Sequence, residues 1–149
     1  MIDVESLVFS TVAAAVESAF ATDYPGLVCY GEYVAAPSTF PCLCLVEDDN
    51  YRYTRSDDNE LQEHHANVMY TCNIYTNNAN KKQLAKAIAD VVDGAMAAMK
   101  FTRTMMNQIP NIDRTIYRIT MRYTAVVGEP IATRTEDDVT TTTYSVYRS

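Results

Sequence analysis

The stretch HHANVMYTCNIYTNNANKKQLAKAIADVVDGAMAAMK, residues 64–100, contains the two hydrophobic patterns on which the fold depends. In its first half apolar side chains occupy every second position, as they do along a β-strand with one buried face. This alternating set is Ala66, Val68, Tyr70, Cys72 and Ile74. The first half therefore predicts a strand whose other face carries more polar side chains.

In the second half of the stretch apolar residues recur every three or four positions, as on one side of a helix. This set is Leu84, Ile88, Val91, Val92, Ala95, Met96 and Met99. Asn78 or Asn80 is placed to cap the start of the helix, because Asn side chains accept from free backbone N–H groups there. Residues 64–100 thus predict a strand followed by an amphipathic helix.

The same reasoning extends to both sides of this stretch. Residues 4–20 have helical apolar spacing, with Asp3 as the expected cap, and residues 27–35 read as a strand. After the second helix, residues 101–110 predict a strand and residues 116–128 an alternating one. The apolar face of that last strand is Tyr117, Ile119, Met121, Tyr123, Ala125 and Val127.

The segment FPCLCLVEDDN, residues 40–50, predicts a strand that enters an acidic loop. Alternation puts Cys42 and Cys44 on one face and the intervening leucines on the other, so the strand is expected to be covered on both sides. The acidic triplet at 47–49 is expected to mark the end of the strand. Residues 50–63 are polar and predict a long exposed loop.

This order of elements is not a regular βαβ alternation. It favours an α+β fold: a single domain with a mostly antiparallel or mixed β-sheet and two helices packed on one face. The domain is assigned to residues 1–128. Residues 129–149 are threonine-rich, charged and prone to β structure, and they are assigned to an extended C-terminal arm that could add a strand to a neighbouring subunit.

Composition excludes several classes of protein. The chain has 149 residues, a net charge of −7 and 12 Lys and Arg residues spread thinly, which argues against specific nucleic-acid binding. No segment has the roughly 18 consecutive apolar residues of a membrane span. The N-terminus has no basic region typical of a secretory signal, so the four cysteines are expected to be free thiols.

The cysteines and histidines raise the possibility of a metal site. Cys42 and Cys44 are two apart on a strand, which is not the usual zinc knuckle spacing, and His64 and His65 are adjacent. Cys29 and Cys72 have no second ligand nearby in sequence. Buried thiols are the favoured interpretation; a small Cys/His metal-binding domain is the less favoured alternative. We predict no catalytic residue, no cofactor and no metal, since phosphate-loop, EF-hand and nucleophile motifs are missing.

The polar face of the last strand has two interpretations. It carries Arg118, Thr120, Arg122 and Thr124. One interpretation is a solvated sheet face, and the other is a contact at which the arginines meet acidic residues of a neighbouring subunit.

Three segments carry a resemblance to a known family. They are residues 39–77, the helix KKQLAKAIADVVDGAMAAM, and FTRTMMNQIPNIDRTIYRITMRYTAVVG at 101–128. In their order and character, together with the N-terminal helix, they resemble the tail terminator (tail completion) proteins of tailed bacteriophages and prophages. The resemblance rests on the sequence of elements rather than on a catalytic signature, and it covers nearly all of residues 1–128.

The resemblance implies a structural virion protein and not an enzyme. It implies a hexameric ring that caps the tail tube, ends tube polymerisation and joins the tube to the head-side connector. The implied partners are further copies of the chain, the tail tube protein and the connector or stopper protein, with no membrane. Genomic DNA would pass through the lumen without specific binding, since acidic walls repel phosphates. The implied location is the tail or neck of the virion, after assembly in the bacterial host cytoplasm.

Another head–tail connector ring, a stopper or neck protein, is the alternative within the same class. Ring contacts need complementary charged and aromatic surfaces. The candidate contacts with other subunits, the tube or the connector are Asp48, Asp49, Arg52, Arg55, Asp57, Asp58, Glu60, Arg118, Arg122, Tyr144 and Tyr147.

Overall fold

The computed structural model of the chain describes residues 2–34, 37–52, 65–110, 113–136 and 139–148. For Arg52, for residues 129–136 and 139–145, and for residues 147–148 it describes the backbone alone. The elements in chain order are α1 (Glu5–Phe20), β1 (Val28–Tyr30), β2 (Cys42–Arg52), β3 (His65–Thr76), α2 (Lys81–Ala98), β4 (Thr102–Gln108), β5 (Tyr117–Glu136) and β6 (Val139–Arg148).

The strands form one mixed sheet in the order β1-β2-β3-β5-β4, with β6 paired to the far part of β5. β1 runs parallel to β2, and the other pairs are antiparallel. The prediction of a single α+β domain with a largely antiparallel or mixed sheet is confirmed.

Both helices pack on the same side of the sheet, which we call the helix face. α1 contributes Val8, Val12 and Val16 to the core, and α2 contributes residues at the predicted helical spacing from Leu84 to Met96. The alternating apolar sets of β3 and β5 complete this core. The register places Ile74 opposite Ile119, and each member of the apolar set of β3 back to Ala66 likewise lies opposite an apolar residue of β5. None of the described helices is long and apolar enough to cross a bilayer.

The helix starts agree with the predicted caps only in part. α1 has Val4 at its N-cap position, and Asp3 instead accepts a hydrogen bond from the backbone N–H of Glu5 over 3.1 Å. Asn80 occupies the N-cap position of α2 but makes no side-chain capping bond, and the Asn78 amide donates to the Asn80 side chain. The predicted Asn cap of α2 was wrong because the two amides bond to each other, whereas Asp3 does satisfy a free backbone N–H at the start of α1.

The strands near the acidic triplet also differ from prediction. β1 spans three residues rather than 27–35, and β2 continues through the triplet to Arg52. A bulge between Glu47 and Asp49 inserts an extra residue, so the acidic residues lie within the strand and do not end it. The remainder of the predicted loop, residues 53–63, lies outside the described residues.

The C-terminal segment assigned to an arm is a two-stranded ribbon. In the described part of the chain β3 pairs with β5 as far as Gly128. From Pro130 to Glu136, β5 pairs with β6. Tyr144 is in register with Pro130, and Tyr147 with Val126. The ribbon therefore extends from the end of the sheet at which β3 begins.

Candidate functional site

The side of the sheet opposite the helices is here called the open face, and the described residues cover it only at one end. There Cys42, Cys44 and Tyr75 are buried beneath partly buried apolar residues. The covering residues are Tyr30, Val34, Phe40 and Ile116. This second small core explains why β2 is apolar on both sides and confirms that its cysteines and leucines face opposite ways.

Beyond that small core the open face forms a shallow groove of about 480 Å³. It runs across β2, β3, β5 and β4, and Tyr33 borders it. Its walls combine apolar and charged side chains, including Val46, Asp48, Thr71, Met105, Ile109 and Arg122. A surface of this mixed composition resembles protein interfaces, which place apolar groups beside a few oriented polar ones.

Arg118 is held in place on this face by three contacts. Its Nε and Nη2 atoms donate to Oδ1 of Asn73 over 3.2 and 2.9 Å. Its guanidinium carbon lies 5.4 Å from the centroid of the Tyr75 ring, a cation–π distance. Thr120 also donates to Asn73 Oδ1, over 2.7 Å, so one buried amide oxygen receives donors from two residues of β5.

Arg122 lies four residues beyond Arg118 on the same face of β5 and is exposed. Within the described ranges neither Arg118 nor Arg122 forms an ion pair, since the ion pair described there joins Arg103 to Asp93. The structure therefore brings the two predicted arginines to one groove and leaves their charges without a described counter-ion.

The bulge in β2 determines where the predicted acidic contacts lie. Asp48 accepts a hydrogen bond from the Thr71 hydroxyl on the open face. Asp49 is in register with Met69, which belongs to the same face by alternation. Without a bulge two consecutive residues point to opposite faces, so the bulge allows both carboxylates to lie on the open face.

Glu47 points the other way and belongs to a separate acidic cluster of Asp3, Glu5 and Glu47. Carboxylate oxygens of these three residues lie within 4.8 Å of one another. Tyr70 of β3 donates to Glu47 over 2.8 Å. Asn50 of β2 donates to the Ile2 carbonyl over 2.7 Å, which ties β2 to the segment just before α1. Burial, and then the charges of Glu47 and Asp3, raise the pKa of Glu5 above its ordinary 4.5.

The thiols are distributed over both faces of the sheet. Cys29 and Cys72 pack in the helix-side core, whereas Cys42 and Cys44 lie in the small core. Burial raises the pKa of Cys29 to about 11 and that of Cys42 to about 12, which leaves both thiols protonated near neutral pH. All four are free cysteines.

The structure does not bring the ligands of the alternative metal site together. Cys42 is in register with Tyr75, at the opposite end of β3 from His65. Those two β3 residues are ten apart, roughly 33 Å at about 3.3 Å per residue. His64 lies outside the described residues. Among the described side chains, the acidic cluster is the group whose spacing could suit a cation.

The remaining predicted contacts are placed only in part. Arg52, Tyr144 and Tyr147 lie in strands whose side chains at those positions are not described. Arg55, Asp57, Asp58 and Glu60 lie outside the described residues. Sequence reasoning also missed the roles of Asn73 and Glu5, since each depends on neighbours that are distant in the sequence or across a strand.

Comparison with known proteins assigns the chain to no family. No protein-family model matches the chain, and a search of curated proteins finds no match.

Proposed function

We propose that this chain is a structural assembly protein of the head–tail joint of a tailed bacteriophage, and that it acts by binding rather than by catalysis. The observation that carries the proposal is the open face, where Arg118 and Arg122 border a groove in a chain of net charge −7. The resemblance in element order to tail terminator proteins gives the proposal its specific form. In that form, copies of the chain close into a hexameric ring on the last ring of the tail tube.

The open face suits a contact between subunits for a physical reason. A ring requires a heterologous contact, in which one surface of a subunit binds a different surface of the next. The groove combines apolar side chains with a restrained arginine and an exposed one, so a neighbour can gain both packing and charge pairing there. The completed ring would block further tube subunits at one end and present its other end to the head-side connector.

The test is tube capping by the purified chain. Tail tube protein is polymerised with and without the chain, and the tubes are examined by electron microscopy while mass photometry measures the chain's own assembly. We expect shorter tubes with added density at one end and rings of a single size. Tubes of unchanged length with bare ends would exclude the terminator role.

The same experiment distinguishes a tail terminator from the alternative, a stopper or neck protein. A ring that binds isolated head-side connector but leaves tube length unchanged would identify a stopper or neck protein. The control variant is Arg114→Glu, which reverses an exposed positive charge in the turn before β5, outside the lining of the groove. It should cap tubes as the wild type does.

A further inference from the structure

Two oppositely charged surfaces lie on different sides of the domain. The basic one is the pair Arg118 and Arg122 on the open face of β5, next to the β4 edge. The acidic one is the cluster of Asp3, Glu5 and Glu47, at the start of α1 and on the helix face of β2. Because they occupy different faces and different strands, one copy can use both surfaces at the same time.

Within the described part of the chain no ion pair involves either surface, although Asp48 also lines the groove beside the two arginines. Arg118 contacts a neutral amide and an aromatic ring, and the carboxylates of Asp3 and Glu47 accept from a backbone N–H and a tyrosine hydroxyl. The pKa of Glu5 is raised by burial and then by repulsion from Glu47 and Asp3, so its negative charge is unfavourable in the isolated copy. Contact with opposite charge relieves this repulsion.

We propose that the acidic cluster of one copy docks on the arginine groove of the next, and that this heterologous contact builds the ring. The inference rests on the proposed function and deepens it, since it names the two surfaces that meet. Val46, Met105 and Ile109 supply the apolar part of the groove. Arg118, held by Asn73 and Tyr75, loses little side-chain freedom on binding, so its pairing is less costly than that of a free arginine.

Charge reversal in trans tests this pairing. Arg122→Glu makes the groove more acidic, and Glu5→Lys makes the cluster less acidic. Each variant alone should associate at least about ten-fold more weakly than wild type, because like charges then meet at every contact. A mixture of the two variants should assemble again, with the two kinds of copy alternating. The double variant Arg122→Glu/Glu5→Lys should also assemble, since its charges are exchanged and remain complementary.

Assembly is measured by mass photometry and sedimentation velocity over a range of salt, since pairing of exposed charges weakens as salt rises. Circular dichroism first checks that each variant is folded. The matched controls are Arg114→Glu and Asp90→Lys, which reverse single exposed charges elsewhere, and both should associate as wild type does.

Each other outcome overturns the pairing in a distinguishable way. If Glu5→Lys assembles normally while Arg122→Glu does not, the groove binds a different surface, such as a second groove in a two-fold dimer. If both single variants assemble normally, or the mixture stays dissociated, the charges do not pair. If the wild-type chain caps tubes as a ring but the charge-reversal variants do not behave as expected, only this inference is overturned. If the wild-type chain stays monomeric when tubes are present, the proposed function is overturned as well.

Discussion

Arg118 on β5 donates two hydrogen bonds to the side-chain oxygen of Asn73 on β3, diagonally across the strand pair. Thr120, directly opposite Asn73, donates a third to the same oxygen. A single amide oxygen thus fixes the arginine that borders the groove and satisfies a buried hydroxyl. The arrangement connects sheet stability to the orientation of the proposed binding surface.

Replacing this oxygen should destabilise the domain. We expect Asn73→Ala to lower the free energy of unfolding by about 2–3 kcal/mol, because a buried hydroxyl and a guanidinium both lose their acceptor. Urea unfolding followed by circular dichroism measures the change. Asn107→Ala, an exposed amide on β4, is the control and should change stability by less than about 0.5 kcal/mol. Equal effects of the two substitutions would contradict the proposed role of Asn73.

Two buried tyrosines of β3 should respond oppositely to loss of their hydroxyls. Tyr70 donates to Glu47, so Tyr70→Phe should cost about 1–2 kcal/mol. The Tyr75 hydroxyl is buried and has no hydrogen-bond partner in the described part of the chain. Tyr75→Phe should therefore be neutral or stabilising by up to about 1 kcal/mol, and the Phe ring keeps the cation–π contact with Arg118. Thermal and urea unfolding of the two variants give the comparison, and a clear loss in Tyr75→Phe would reveal an unrecognised partner.

Asp93 on α2 allows a part-buried hydrogen bond and an exposed ion pair to be compared at one carboxylate. Tyr123 donates to Asp93 over 2.9 Å from the core, while Arg103 approaches it at 3.3 Å with 44% of its side chain exposed. Exposed ion pairs contribute little, so Arg103→Ala should cost less than about 0.5 kcal/mol. Tyr123→Phe should cost about 1–2 kcal/mol. If urea unfolding shows a larger loss of stability for Arg103→Ala than for Tyr123→Phe, the ion pair is the stronger interaction.

The regular patterns were predictable from sequence and the irregular pairings were not. The alternation around Tyr70 and the helical spacing around Ile88 identify both faces of β3 and the core side of α2, because burial repeats with the geometry of the element. The bulge at Asp48 was not predicted, since an acidic triplet is equally typical of a loop. The cluster of Asp3, Glu5 and Glu47 and the acceptor role of Asn73 depend on strand register and helix docking, which local patterns do not encode.

Removing the negative charge of Glu5 should stabilise the isolated chain near neutral pH. Its raised pKa means that the folded state holds the proton more tightly than the unfolded state. The stability due to Glu5 is therefore full below pH 4.5 and is lost as pH rises through the raised value. Glu5→Gln should raise the unfolding temperature at pH 7, under conditions where the chain is monomeric.

This gain in Glu5→Gln should shrink as pH falls towards 4, where the wild-type carboxyl is protonated as well. Differential scanning calorimetry across pH 3.5–8 measures the trend. The control is Glu17→Gln, an exposed residue of the same helix. A gain that persists unchanged at low pH would mean that the charge is not its cause.

The buried thiols should make the domain sensitive to alkaline pH. Burial raises the pKa of Cys29 from 9.0 to about 11 and that of Cys42 from 9.0 to about 12. An unfolded thiol ionises first, so the folded state binds more protons than the unfolded state above pH 9 and stability falls as pH rises. Urea unfolding between pH 7.5 and 11, in reductant, should show a flat region below about pH 8.5 and a decline above it. Cys29→Ala should be less stable at pH 7.5, because it loses packing, yet its stability should decline less steeply with pH. An unchanged slope in that variant would show that Cys29 ionises equally in both states.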